Sequence, residues 1–184
     1  MRAYAVLLIG LMPAYASAQS AGQFRAEIHA GIDRVETDVE DTGLVYGVGI
    51  GYDIGIGPSL TAGIEVNADL TNAGRCVTGR IVPGDRLCSE SAQDISVLAR
   101  LSVRVSDRGR AYALLGYSSF QVDVDYTVNG QTASSDQTLE GVRAGIGYQH
   151  DINGRLYLKG EYRYTTYGDG ESRNQGLIGL GISF

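Results

Sequence analysis

The chain has 184 residues, 43% hydrophobic and 20% charged, which suits one folded domain and excludes a disordered polymer. A formal net charge of −6, with no basic cluster, excludes a nucleic-acid partner. Glycine is abundant at 26 copies, against 3 prolines and no tryptophan. The 12 tyrosines supply most of the aromatic content, and a ring with a wet tip suits a membrane boundary.

Residues 1–18 have the three parts of a secretory signal: Arg2, an apolar run from Ala5 to Met12, and Ala16-Ser17-Ala18 as an A-x-A cleavage site. The apolar run is too short for a membrane helix. The expected organisation is a signal peptide over 1–18 and one domain over 19–184. No later stretch holds 18 consecutive apolar residues, which leaves a soluble exported protein or an outer-membrane barrel.

Beyond the signal, period two dominates. In FRAEIHAGI, Phe24, Ala26, Ile28, Ala30 and Ile32 alternate with Arg25, Glu27 and His29. LVYGVGIGYD sets Leu44, Tyr46, Val48, Ile50 and Tyr52 against three glycines. LTAGIEVNAD and QDISVLARLSVRV continue the pattern, with Glu65 on one polar face and Asp94, Arg100 and Arg104 on the other. The fifth segment, RAYALLGYSSF, is apolar on both faces, so its orientation stays open. LEGVRAGIGYQ and RLYLKGEYRY place Arg143, Lys159, Glu161 and Arg163 on polar faces, and NQGLIGLGISF ends with Ile178, Leu180, Ile182 and Phe184 in one row. Eight strands of about ten residues have the length for a tilted bilayer crossing.

Connections alternate in kind. DIGIGPS, SDRGR and HDINGR are short and turn-rich, while DRVETDVEDTG, the cysteine segment, QVDVDYTVNGQTASSDQ and TTYGDGESRN are longer and polar. That alternation is the layout of an outer-membrane barrel with short periplasmic turns and long extracellular loops. The predicted fold is all-β: an eight-stranded antiparallel up-and-down transmembrane β-barrel. A soluble barrel would also alternate, but its polar face would not be so rich in glycine, which weakens a solvent-facing strand.

With the polar face inside, Arg25, Glu27, Glu65, Asp94, Arg100, Arg104, Arg143, Lys159, Glu161 and Arg163 form a lumen network of mixed sign. Buried charges persist when paired, and eight strands enclose only enough room for side chains. The expected lumen is therefore plugged. The two cysteines, Cys76 and Cys88, lie in a polar segment of an exported chain and are expected to form a disulfide that staples a loop. Two cysteines without a nearby histidine make a poor zinc site, so no metal or cofactor is expected.

Catalysis has little support. His29 falls on the lumen face and His150 at a short turn, neither within a Ser/His/Asp arrangement. The acidic run Asp33, Glu36, Asp38, Glu40 and Asp41 reads as a solvated loop, with divalent-cation contact to lipopolysaccharide as the sharper alternative.

The segment EYRYTTYGDGESRNQGLIGLGISF resembles the last hairpin of small outer-membrane β-barrel proteins of the opacity-protein and porin-like type, with an OmpA-type barrel. The resemblance implies a Gram-negative outer membrane, with roles in envelope integrity, adhesion or host contact. It implies an assembly signal at Gly179, Ile182 and Phe184, read by the barrel-assembly machinery. Implied partners are outer-membrane lipids, lipopolysaccharide and a host or surface ligand at the loops. The expected function is structural or interactive and not enzymatic; the rivals are a small porin-like channel, a lipid-modifying barrel enzyme and a soluble exported ligand-binding barrel.

Overall fold

The computed structural model describes residues 22–36, 41–72, 76–78, 86–128, 131–167 and 171–184; the expected signal over 1–18 lies outside them. Nine strands run in chain order: β1 (Gln23–Glu36), β2 (Asp41–Gly55), β3 (Leu60–Thr71), β4 (Cys76–Thr78), β5 (Arg86–Ser106), β6 (Gly109–Val128), β7 (Gln131–Asp151), β8 (Leu156–Tyr167) and β9 (Ser172–Ser183). Each neighbour pairs antiparallel, β3 pairs with β5, and β1 pairs with β9 from Arg25 opposite Ser183 to Glu36 opposite Ser172. Eight staves thus close into a ring, and the three-residue β4 sits outside it on β5. Within the closed ring each stave has a partner on both sides, the condition for a sheet to stand in hydrocarbon.

The alternation sorts the side chains inside out. Apolar residues of each stave face outward, with Ile178 at 70% and Ile146 at 65% exposure, while charged and polar ones face the lumen. A continuous apolar exterior of this extent has no counterpart on a monomeric soluble protein, so it sets aside the soluble barrel and fits lipid. Near the short-turn end the exterior carries an aromatic cluster: Phe24 lies 4.7 Å from Tyr52 and stacks on Phe184 at 6.1 Å between centroids. There Phe24 and Phe184 also exchange backbone hydrogen bonds of 3.0 Å in both directions, pinning the seam.

One orientation left open by the sequence is resolved, and one expectation needs correction. β6 has a definite orientation: Tyr112, Leu114, Ser118 and Phe120 are buried, while Leu115 and Tyr117 face out. Leu114 packs with Leu98 and Tyr112 in an apolar patch inside the lumen, which is why this segment looked apolar on both faces. Strand length also departs from about ten residues, since β5, β6 and β7 run to 21, 20 and 21. Much of the expected loop QVDVDYTVNGQTASSDQ is paired hairpin, because its alternating valines and aspartates flank an Asn-Gly turn signal.

Candidate functional site

The lumen gathers six cationic and seven acidic side chains, all nearly excluded from solvent. Strand parity brings them together, and glycine makes the room. A Cβ at Gly47 would stand 2.2 Å from Asp69 Oδ1, and one at Gly181 2.2 Å from the Tyr157 ring.

In the half nearer the short turns, Glu65 is the hub. Arg25 donates from Nη1 to Glu65 Oε2 at 3.1 Å and from Nε to Asp53 Oδ2 at 2.6 Å. Arg100 reaches the same Glu65 oxygen at 3.3 Å, donates to Gln149 Oε1 at 2.9 Å, and lies 3.7 Å over the Tyr112 ring. Lys159 bridges Glu27 and Glu161, whose other contacts include hydroxyls: Tyr157 donates to Glu27 at 2.8 Å and Tyr112 to Glu161 at 2.7 Å.

In the other half the carboxylates are Asp33, Asp69 and Asp94. Arg163 donates to Asp69 Oδ2 at 3.0 Å and to Glu161, and the His29 ring meets Asp69 Oδ1 at 2.5 Å. Asp94 receives both Arg143 and Arg173, with the Ser118 hydroxyl at 2.6 Å. Arg173 lies 4.3 Å over the Phe120 ring and grips Asp33 with two hydrogen bonds. Charge-assisted hydrogen bonds of this kind are about twice as strong as neutral ones and fix side-chain geometry.

Of the ten residues expected in the network, nine lie in the lumen. Arg104 departs from the expectation: it is exposed where β5 meets its short turn, beyond the paired interior. Parity reasoning missed Asp53, Asp69 and Arg173, and assigned Asp33 to a solvated loop. Asp33 is fully buried, because β1 continues to Glu36 and keeps odd positions inward. Asp38 and Glu40 of that run lie outside the described residues. His150 is exposed, while His29 is held in the network. Gly179 faces the lumen, where an added Cβ would sit 3.0 Å from Lys159; Ile182 and Phe184 face outward.

A ring of eight staves with apolar residues outside and a paired ionic interior is the inverse of a soluble barrel. The profile of the outer membrane protein beta-barrel domain family matches residues 4–184. The chain belongs to that family. This outer-membrane barrel is similar in fold to Ail, the attachment invasion locus protein of Yersinia pestis, at 19% identity and TM-score 0.63, covering 89% of this chain and 99% of Ail. It is similar to Neisserial surface protein A at 14% identity and TM-score 0.58, covering 88% and 97%. A major outer membrane protein from Thermus thermophilus matches at 11% identity and TM-score 0.65, covering 89% and 100%. Among curated protein sequences none matches.

Proposed function

We propose that this outer-membrane barrel is a sealed scaffold that presents a β-sheet at the cell surface for contact with a protein partner, and that it has no catalytic role. The observation that carries the reading is an uncovered strand edge. β7 pairs with β6 along its whole length but with β8 only from Gly141 onward, so the backbone of 131–140 has no strand on its second side among the described residues. Where β8 ends, the Tyr167 N–H donates to Glu171 O at 2.9 Å. On the opposite edge of the same sheet, β4 covers 86–88 of β5. An open edge is a template for pairing with another chain, and QTASSDQTLE carries neither lysine nor proline to blunt it.

Charge supports a cationic partner. The segments 34–43, 72–92, 121–140 and 168–172 join or extend strands at this end, and they hold twelve carboxylates against four arginines. Ail has been crystallised with the heparin analogue sucrose octasulfate, a polyanion. An acidic surface would repel such a ligand and attract a basic segment.

The paired interior supports a plug, because opening a path would leave several carboxylates buried and alone. Reconstitution in planar bilayers should give no stable single-channel steps; steps of defined size would overturn the sealed reading in favour of a small channel. For the edge, an alternating Lys/Val peptide should bind nanodisc-embedded protein, and its N-methylated form should not. Equal binding of both forms would remove strand addition as the mode.

Three further readings belong to the same proposal. Residues 1–18 act as a cleaved export signal, which N-terminal sequencing tests by a start at Gln19. Gly179, Ile182 and Phe184 act as the signal for the barrel-assembly machinery. Cys76 and Cys88 stand directly opposite each other on β4 and β5, within the reach of a disulfide for an antiparallel pair.

A further inference from the structure

The net charge of −6 hides a mouth of opposite sign. At the short-turn end, segments 54–61, 104–111 and 151–155 hold four arginines, Arg104, Arg108, Arg110 and Arg155, against only two carboxylates, Asp107 and Asp151. Asp151 is occupied by Arg110 at 3.4 Å. The nearest lumen carboxylate, Asp53, is held by Arg25. Among the described residues the other three arginines have no carboxylate within ion-pair distance, so the positive charge at this mouth is not cancelled locally.

The arginines ring a concave space. One recess of about 250 Å3 is lined by Arg104 and Arg110 with Asp53, Ser59 and Ser102. A second, of about 320 Å3, is lined by Arg108, Arg110 and Arg155 with Asp107, Asp151 and Ser183. They share Arg110 and Gln23 and together form one vestibule below the Arg25–Asp53 pair.

The backbone beneath these side chains is fixed. Arg104 N–H donates to Ser59 O at 2.8 Å, Asp151 N–H to Arg108 O at 2.7 Å, and Ser183 N–H to Arg155 O at 2.8 Å. The backbone of each unpaired arginine is therefore anchored to a neighbouring strand or turn at its own residue. A rigid backbone rim lowers the ordering cost of binding, and a concave site with an excess of positive charge focuses potential.

We infer that this vestibule is an oxyanion site that takes a phosphate group, through Arg108 and Arg155. Guanidinium forks match phosphate oxygens in pairs, and two forks from different turns that line one recess can approach one group from different sides. In a barrel whose short turns face the periplasm, the phosphate can come from a phospholipid headgroup of the inner leaflet or from a soluble phosphate compound. The site does not depend on the surface contact proposed above, which lies at the opposite end.

The test uses full-length protein in phosphatidylcholine nanodiscs, with inorganic phosphate titrated against chloride at constant ionic strength and amide NMR shifts followed. Saturable shifts are expected at Asp107–Gly109 and Ile152–Arg155, weakened at least tenfold in the double variant R108Q/R155Q and unchanged in R80Q. Both variants are first checked for heat-modifiable gel mobility. Replacing part of the phosphatidylcholine with phosphatidylglycerol distinguishes the sources: the same shifts without added phosphate assign a headgroup, and their absence assigns a soluble phosphate. No saturable response to either probe, or an equal response in R108Q/R155Q, overturns the inference.

Discussion

Arg173 on the last strand grips Asp33 on the first, with Nε donating to Oδ1 at 2.8 Å and Nη2 to Oδ2 at 2.6 Å. The two are 140 residues apart in sequence and lie on the staves that close the ring. Neither is exposed, and the same arginine also holds Asp94 on β5.

Breaking that grip leaves a buried carboxylate without its partner. Arg173→Gln should cost roughly 3–5 kcal/mol of stability, read from the urea midpoint in detergent. Adding Asp33→Asn to the same chain should recover a substantial part, because the stranded charge is gone. A single variant as stable as the parent would show that the pair contributes nothing to closure.

Glycine positions divide by face. Gly47 faces the lumen, where a Cβ would meet Asp69 Oδ1 at 2.2 Å and His29 Nε2 at 2.8 Å, whereas Gly160 has open space around it. Gly47→Val should lose roughly 1–3 kcal/mol or more through overpacking. Gly160→Val should be neutral in the same unfolding experiment. Equal losses at both would mean that strand propensity, not lumen space, sets the preference.

Adjacent residues of β9 test which side meets lipid. Ile178 is 70% exposed and Leu177 is buried in the lumen. Ile178→Arg should destabilise the barrel in a bilayer by about 2–4 kcal/mol, the cost of a charge near the midplane. Leu177→Gln stays within the polar interior and should cost less. The reverse order, measured by reversible unfolding into liposomes, would contradict the assigned faces.

The opposed positions of Cys76 and Cys88 predict a bridge in protein isolated from oxidising conditions. Mass spectrometry of the unreduced chain should find it two hydrogens lighter and inert to alkylation. Reduction should lower stability by about 3 kcal/mol if the loop-entropy account holds. Two alkylated cysteines in unreduced protein would dispose of the bridge.

Strand periodicity made the barrel legible in the sequence. Alternation in FRAEIHAGI or LTAGIEVNAD assigns each residue to a face, because successive side chains on a strand point to opposite sides and lipid demands an apolar one. The same rule reaches further along the chain. VDVDYTVNG alternates around an Asn-Gly turn, and extending the parity of β1 by a few residues would have turned Asp33 inward.

The sequence by itself determined the faces of every stave but β6, the number of staves and the sign of the lumen residues, all of which depend on local period. The tertiary structure decided which charges meet. Pairing depends on the register and closure of the ring, which set Arg173 beside Asp33 and joined Arg25 and Arg100 on Glu65. It also decided that Arg104, of the same parity as Arg100, lies beyond the network and joins the arginine rim. Depth along a stave is fixed only when its neighbours are in place.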